Sequence, residues 1–190
     1  MSKTRKKYAG ILSEEIKKQL ADLNMPGCEF ITQVDKVSYG GLGCDKVEFL
    51  ISPNKGEDVK PLSKIASGGE LSRIMLAIKC IMAKSDEATT YIFDEIDTGV
   101  SGLAAQKVAL KLNLVGKSKQ TLVITHSAHI AAAADHHFLL YKNVENGRTK
   151  THISHLDFDG RVNEIARINS GSNITETAKN QAKELLEKYM

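Results

Sequence analysis

The chain has 190 residues, of which 42% are hydrophobic and 26% are charged, and its formal net charge is +3. This is the length of one domain with appendages and the composition of an ordinary soluble globular protein. No apolar run is long enough to span a bilayer, and no apolar stretch follows the basic residues 3–7, so the sequence predicts neither a membrane segment nor a secretory signal.

The charge and the cysteines indicate a cellular setting. A net charge of +3 permits nucleic acid as a partner without establishing it. The three cysteines, Cys28, Cys44 and Cys80, form no close pair and no metal-binding spacing. We interpret them as reduced thiols of a cytosolic protein.

The first half of the chain is predicted to be a helix followed by a hairpin. Residues 3–23 carry one apolar stripe, formed by Tyr8, Ile11, Leu12, Ile16, Leu20 and Leu23. The segment 24–27, which contains Pro26, ends this helix. Residues 28–34 and 46–51 have the pattern of paired strands, and a glycine-containing loop at residues 40–43 lies between them.

The second half alternates strands with helices. The predicted helices are residues 67–84, 103–115, 128–134 and 174–189, the last of them capped at Ser172 or Asn173. In the first of these helices the inward residues are predicted to be Leu71, Ile74, Met75, Ile78 and Met82. Residues 89–93 and 121–125 read as buried strands, followed by a hairpin of residues 138–141 and 149–156 around Asn146-Gly147. This order predicts an α/β fold with a mostly parallel sheet flanked by helices.

The most informative motif is the start of the helix 67–84, which reads Ser67-Gly68-Gly69-Glu70. Ser67 is a favourable N-cap, and Glu70 three residues later makes a capping box. Each glycine costs about 1 kcal/mol relative to alanine inside a helix, so local stability does not explain the pair. Paired glycines expose backbone N–H groups and let a ligand, typically a phosphate, approach closely. An ordinary capped helix is the alternative for this motif taken alone.

Two strand ends carry side chains suited to phosphate chemistry. The strand 89–93 ends in Asp94-Glu95, where one carboxylate can hold Mg²⁺ and the other can activate a water. The strand 121–125 is followed by His126, which can contact a terminal phosphoryl group or the attacking water. Between them lies the loop 96–102, which carries Asp97 and can press against another chain. Taken singly, these features are also typical of an acidic turn, a structural histidine and a capped loop.

Two other chemistries fit the sequence less well. A zinc site is suggested by the histidines, but no cysteine lies near His126, His129, His136 and His137. A hydrolase triad of Ser101, His126 and Asp135 lacks the Gly-x-Ser-x-Gly turn around its serine.

In chain order, these motifs match the signature, Walker B, D-loop and switch-histidine elements of ABC-type ATPases. The sequence contains no Gly-x-x-x-x-Gly-Lys-Ser/Thr phosphate loop, known as Walker A. Residues 41–46 look faintly similar, but they lack the Gly-Lys-Ser/Thr core and lead into a strand. We therefore expect the C-terminal half of a split ATPase head, with Walker A on a preceding segment.

The residues around these motifs resemble those of bacterial RecN DNA-repair proteins, which are SMC-like ATPases. The resemblance rests on residues 66–77 and 92–102, with further matches at 47–50, 125–126, 134–137 and 164–167. It covers nearly the whole chain. Two segments depart from it. RecN proteins commonly have a proline-containing segment where this chain has residues 127–129. Residues 169–172 match less closely the turn with two glycines that is usual there.

The resemblance implies an N-terminal lobe with Walker A, a long antiparallel coiled coil, and then this chain. Residues 1–24 would be the base of the returning coiled coil, and residues 25–190 the C-terminal lobe of the head. The implied cofactors are ATP and Mg²⁺. The implied partners are the N-terminal lobe, a second head in a homodimer, and DNA through the full-length protein. The implied location is the bacterial cytoplasm, at the nucleoid, with no membrane partner.

The resemblance also implies residue roles. Asp94 would coordinate Mg²⁺, Glu95 would be the general base, and His126 would contact the γ-phosphate region. The residues implied in binding ATP, including ATP held by a second head, are Ser67, Gly68, Gly69, Glu70 and Asp97.

Two classes of function follow. The first is the C-terminal lobe of an SMC-like ATPase in DNA double-strand break repair and recombination, where ATP clamps two heads together and hydrolysis releases them. Alone, this lobe is expected to lack ATPase activity because it has no Walker A. The alternatives are a non-catalytic interaction module with an ATPase-like fold, or another SMC- or RecF-like head. The intact Asp94-Glu95 and His126 argue against the module.

Overall fold

The computed structural model describes residues 1–41, 43–65, 67–83, 85–145 and 147–190. The helices are α1 Ser2–Asp22, α2 Gly68–Met82, α3 Gly102–Gly116, α4 Ala128–Ala132, α5 Phe158–Ser170 and α6 Glu176–Glu187. The strands are β1 Glu29–Gly40, β2 Gly43–Ser52, β3 Lys60–Pro61, β4 Thr90–Phe93, β5 Gln120–Val123, β6 Phe138–Glu145 and β7 Arg148–His155. The chain divides into two compact units, Met1–Ile124 and Thr125–Met190.

The first unit begins with α1 packed on an antiparallel hairpin, as the sequence predicts. β1 pairs with β2 from Glu29↔Ser52 inward, and the short β3 extends the sheet beside β2. The side chain of Ser13 joins the helix to the sheet, because its Oγ accepts a hydrogen bond from the Thr32 amide at 2.8 Å. Of the predicted loop 40–43, Leu42 lies outside the described residues.

The buried side of α1 is rotated relative to the predicted stripe. Ile16 and Leu20 are fully buried as expected, but Tyr8 and Ile11 are exposed. Small residues occupy the buried side of the first turns instead, namely Ala9 and Ser13. The apolar period therefore identified the helix correctly but placed Tyr8 and Ile11 wrongly on its buried face.

β4 and β5 form a parallel pair that runs from Thr90↔Gln120 to Phe93↔Val123. On β4, Tyr91 and Phe93 are buried whereas Ile92 is exposed, so the described residues cover one face of the pair and leave the other uncovered. α2 and α3 pack against each other next to this pair. The other two sheets are antiparallel. The α/β class is confirmed, but its sheets are less parallel than predicted. In the described residues β4 pairs with β5 in parallel, whereas β1–β2, β2–β3 and β6–β7 pair antiparallel. Few residues separate β1 from β2 and β6 from β7, and so short a connection can only join antiparallel strands.

The helix α2 was predicted correctly in position, although Lys84, in its predicted last turn, lies outside the described residues. Its buried residues are Gly69, Arg73, Ile74, Leu76, Ala77 and Ile78. Of the residues predicted to point inward, Met82 is exposed, and Leu71 and Met75 are only partly buried. The inward face is therefore centred on Arg73 and Ala77, and a charged residue lies within it.

The second unit contains α4, the hairpin of β6 and β7, and the helices α5 and α6. The hairpin is confirmed by its pairing from Phe138↔His155 to Glu145↔Arg148, with Asn146 outside the described residues. Its helices share one core, formed by Ala128, Ala131, Ala132, Val162, Ile165, Ala166, Ala182 and Leu186. None of the helices in the described part of the chain combines the length and the hydropathy needed to cross a membrane.

Two features of the second unit differ from the sequence prediction. α5 was not predicted; it is capped by Asp157, whose Oδ1 accepts a hydrogen bond from the Gly160 amide at 2.8 Å. The cap of α6 was placed wrongly at Ser172 or Asn173. The cap is Thr175, whose Oγ1 accepts from the Ala178 amide at 3.2 Å. Several capping residues occur close together here, and packing of the apolar face of α6 selects among them.

Candidate functional site

Ser67 caps the start of α2, as the sequence predicts. Its backbone is extended, with φ −89° and ψ 117°, and its Oγ accepts a hydrogen bond from the Glu70 amide at 3.4 Å. Glu70 lies in the first turn, where a carboxylate interacts favourably with the helix dipole. Gly68 is exposed and Gly69 is buried. One glycine therefore faces solvent and the other faces a neighbouring segment.

The structure shows what the two glycines contact. A Cβ on Gly69 would lie 2.8 Å from Thr98 Cβ and 3.0 Å from the Glu95 carbonyl oxygen, so any side chain would force the backbone apart. A Cβ on Gly68 would lie 2.8 Å from Glu95 Oε2. The start of α2 and the end of β4 are thus direct neighbours. Gly69 is required by this close approach, and Gly68 keeps an open space beside a carboxylate.

The end of β4 presents Asp94 and Glu95 as exposed residues. Glu95 has a φ of 55°, a left-handed conformation that is unfavourable for a residue with a Cβ. The Thr98 amide donates to the Glu95 carbonyl at 3.0 Å, and the Val100 amide donates to the Asp97 carbonyl at 3.1 Å. These bonds form a tight turn. Such strain occurs at functional sites, where the surrounding structure maintains it.

Asp97 differs from the sequence expectation in its environment. We expected it on a loop that presses against another chain, but its side chain is buried, with 2% exposure. Before α3 begins at Gly102, the exposed residues of this loop are Thr98, Gly99 and Ser101. A contact between the loop and another chain would therefore involve these three residues first.

Sequence reasoning missed two residues that join α2 to the loop. Ser72 Oγ donates to the Asp94 carbonyl at 2.6 Å. Arg73 Nη1 donates to the Thr98 carbonyl at 2.6 Å and to the Ile96 carbonyl at 3.4 Å. Burial lowers the pKa of the Arg73 guanidinium, and the charge of nearby Glu70 opposes this. The sequence position of Arg73 could have indicated this role, because Arg73 follows the packed Gly69 by four residues and so lies on the same helix face.

His126 belongs to the second unit, and Asp94-Glu95 to the first. His126 is exposed, and next to it the Ser127 amide donates to Thr125 Oγ1 at 3.0 Å. The predicted site residues thus form two parts, one in each unit. That His126 acts together with the acidic pair stays a prediction from the sequence.

The residues of the first part fit a nucleotide with its magnesium ion. Mg²⁺ usually keeps several waters and takes one or two carboxylates together with substrate phosphates. Exposed Asp94 offers such a carboxylate, and the helix start at Gly68 offers backbone N–H groups to phosphate. In the described part of the chain, no three or more His, Cys, Asp or Glu side chains are grouped to hold a metal ion by themselves.

The fold is that of SMC-type ATPase heads. The Smc head domain with a coiled coil and joint from Pyrococcus yayanosii has a TM-score of 0.60 and 21% identity, covering 90% of this chain and 30% of that chain. A second chain, from a structure of ATP-driven dimerization and DNA-stimulated activation of SMC ATPases, has a TM-score of 0.53 and 22% identity, covering 91% of this chain and 100% of that chain. These identities define the fold alone.

The sequence itself is similar to DNA repair protein RecN. It is 42% identical to RecN of Bacillus subtilis, with 98% of this chain and 35% of the relative covered. It is 43% identical to RecN of Halalkalibacterium halodurans, with 98% and 34% covered. No protein-family model matches the chain. The resemblance to RecN is confirmed over nearly the whole chain, which spans about one third of the length of these relatives.

Proposed function

We propose that this chain is the C-terminal lobe of a RecN-like, SMC-type ATPase head that acts in DNA double-strand break repair and recombination. One observation carries the catalytic part of the proposal. The start of α2, with its two glycines, adjoins the acidic residues that follow β4, and Gly68 faces the Glu95 carboxylate. A phosphate-binding helix start and a water-activating acid then belong to one surface. The similarity to RecN supports the repair assignment.

In this proposal each side chain has a defined role. Asp94 holds Mg²⁺, which when bound neutralises charge on the phosphates of ATP. The exposed carboxylate of Glu95 accepts the proton of the attacking water. His126 contacts the γ-phosphate region. The backbone of Ser67, Gly68 and Gly69, with Glu70 and Asp97 supporting this surface, meets ATP held by a second head.

The rest of the ATP site has to come from other segments, since the chain contains no Walker A sequence. The uncovered face of the β4–β5 pair exposes apolar side chains, with Ile92 68% and Leu122 49% exposed, and Ile124, just after β5, is 61% exposed. We assign this face to an N-terminal lobe of the same protein that carries Walker A. Residues 1–24 then form the base of a coiled coil that leads to that lobe, and residues 25–190 form the C-terminal lobe.

The remaining partners follow from the same assignment. A second, identical head contacts the start of α2 and the exposed loop residues Thr98, Gly99 and Ser101, so that ATP joins two heads. DNA is bound by the full-length protein, which works at the bacterial nucleoid in the cytoplasm. By itself, the chain binds too little of the nucleotide to hydrolyse it.

The test is a chimera in which this chain replaces the matching third of Bacillus subtilis RecN. We expect Mg²⁺-dependent ATP turnover by the chimera and none by the chain alone. Glu95→Gln should abolish turnover while ATP still joins two heads, which sedimentation measures. Glu87→Gln is the matched control, because Glu87 is an exposed acid in the loop before β4. Survival of RecN-deficient cells after double-strand breaks tests the repair role.

Three results would contradict the proposal at different levels. Turnover by the chain alone, lost in Glu95→Gln, contradicts its dependence on another lobe. Normal turnover of the Glu95→Gln chimera contradicts the role of Glu95 as the base. A folded chimera that binds no nucleotide favours the alternative of a non-catalytic interaction module.

A further inference from the structure

Arg73 joins the buried face of α2 to the loop that carries Glu95. The side chain is almost fully buried, with 7% exposure, and donates to the carbonyls of Ile96 and Thr98. These two carbonyls flank Asp97, and Glu95 directly precedes them. One side chain therefore holds two backbone points of the turn next to the proposed general base.

Packing alone does not account for an arginine at this position. A guanidinium is costly to bury unless it is paired, and the adjacent buried residues of α2 are apolar, such as Ile74 and Ala77. Within the described part of the chain, Arg73 Nε is buried and makes no hydrogen bond. A methionine would fill a similar volume without this cost. It would not donate hydrogen bonds to the loop, which arginine does.

Two neighbours of Arg73 on α2 hold the same loop. Ser72 Oγ donates to the carbonyl of Asp94, the residue before Glu95. Gly69 allows the helix backbone to lie against the Glu95 carbonyl and Thr98. The contacts thus fall on both sides of Glu95. Because a glutamate does not favour a φ of 55° by itself, the surrounding contacts must impose it.

We infer that Arg73 is a positioning residue for Glu95: with Ser72, it fixes the backbone of residues 94–98 so that the Glu95 carboxylate stays aimed at the attacking water. The catalytic part of this inference rests on the proposed function, and the structural part rests on the geometry alone. Arg73 bonds to the loop through the backbone carbonyls of Ile96 and Thr98, and it takes no part in proton transfer. It also makes α2 a direct connection between the phosphate-binding helix start and the base.

Hydrogen exchange in the 190-residue chain tests the structural part. In Arg73→Met, the amides of Thr98 and Val100, which close the turn, should exchange about tenfold faster, because a hydrogen bond to a charged group is lost. The Ile124 amide, bonded to the Phe93 carbonyl, should not change. Lys79→Met is the matched control, since it removes a partly buried cation of α2 that pairs with Asp86 away from this loop.

Turnover by the RecN chimera tests the catalytic part. We expect Arg73→Met to lower kcat about 100-fold, the effect of a displaced catalytic group, with the KM for ATP within about threefold. Arg73→Lys, which can still donate to one carbonyl, should restore part of kcat. It also serves as the test variant if Arg73→Met does not fold. Lys79→Met should leave kcat unchanged.

The outcomes separate this inference from the proposed function. Unchanged exchange at Thr98 and Val100 in a folded Arg73 variant overturns the inference. Faster exchange with an unchanged kcat overturns the positioning role. Normal turnover of Glu95→Gln contradicts the proposed function instead, and the exchange result still decides whether Arg73 holds the loop.

Discussion

At the scale of single residues, Glu95 combines an exposed carboxylate with a left-handed backbone. The conformation is unfavourable for any residue with a Cβ, by about 1–2 kcal/mol, and glycine avoids this cost. Replacing Glu95 by either alanine or glycine removes the same carboxylate. The two variants therefore differ in how well they tolerate a φ of 55°, and in the smaller backbone-entropy cost that favours alanine.

We predict that the Glu95→Gly chain is about 1 kcal/mol more stable than the Glu95→Ala chain. Urea unfolding of both variants measures the difference. Asp94 provides the matched control, since it precedes Glu95 and is not among the residues with positive φ. There the order should reverse, because glycine costs more backbone entropy than alanine. Equal stabilities of the two Glu95 variants would show that the turn relaxes without strain.

Sequence patterns could predict some of these residues and not others. Ser67 and Asp94 act through neighbours in sequence, as a cap and as a strand end, so short motifs identify them. The role of Arg73 depends on carbonyls more than twenty residues away, and the φ of Glu95 depends on those same contacts. Asp97 was placed on the correct loop, but its burial depends on packing that no local pattern reports.

At the scale of elements, one residue, Asp86, connects the end of α2 to β4 and to the segment before β5. Asp86 accepts hydrogen bonds from the Lys79 ammonium, from the Ala88 amide at 3.0 Å and from the Tyr91 hydroxyl at 2.8 Å. Its own carbonyl accepts from Lys119 Nζ at 2.7 Å, just before β5. The Lys79 hydrogen bond, with the other two, lowers the pKa of Asp86. Burial and the bond to Asp86 raise the pKa of Tyr91 to about 12.

These shifts predict how stability depends on pH. A carboxyl whose pKa is lowered by folding stabilises the folded state above its unfolded pKa of about 3.9, and this contribution is lost as the pH falls further towards the folded pKa. We predict that Asp86→Asn lowers the melting temperature at pH 7 and reduces the loss of melting temperature between pH 5 and pH 2. Asp58→Asn, in the exposed loop before β3, is the control. The same acid sensitivity in Asp86→Asn and the parent chain would contradict the prediction.

The helices and strands themselves were largely predictable because their apolar periods are local. Boundaries and faces were less so. α1 buries the small residue Ser13 and α2 buries the charged residue Arg73, although the apolar pattern predicted that neighbouring residues face inward. α5 was missed although Asp157 caps it. In each case a contact with a distant segment decided among options that the sequence left nearly equal.

At the scale of the whole molecule, the β4–β5 pair leaves one apolar face uncovered. Ile92 on β4, Leu122 on β5 and Ile124 just after β5 are exposed, whereas Tyr91 and Phe93 on the opposite face of β4 are buried. Contiguous exposed apolar surface of this kind marks an interaction site more often than scattered single residues do. This face includes β4, which is directly followed by Asp94 and Glu95. A lobe that covers it would therefore be held close to the proposed catalytic acids.

We predict that replacing Ile92 and Leu122 by threonine weakens binding of a separately produced N-terminal lobe of Bacillus subtilis RecN at least tenfold. Burial of each aliphatic side chain contributes about 1.5–3 kcal/mol, and threonine keeps the preference for strand structure. Val144→Thr is the control, because Val144 is also an exposed aliphatic residue on a strand but lies on β6 in the second unit. Calorimetric titration measures the affinities. If the double variant binds as tightly as the control, the N-terminal lobe does not cover this face, whereas the role of Glu95 stays open to its own test.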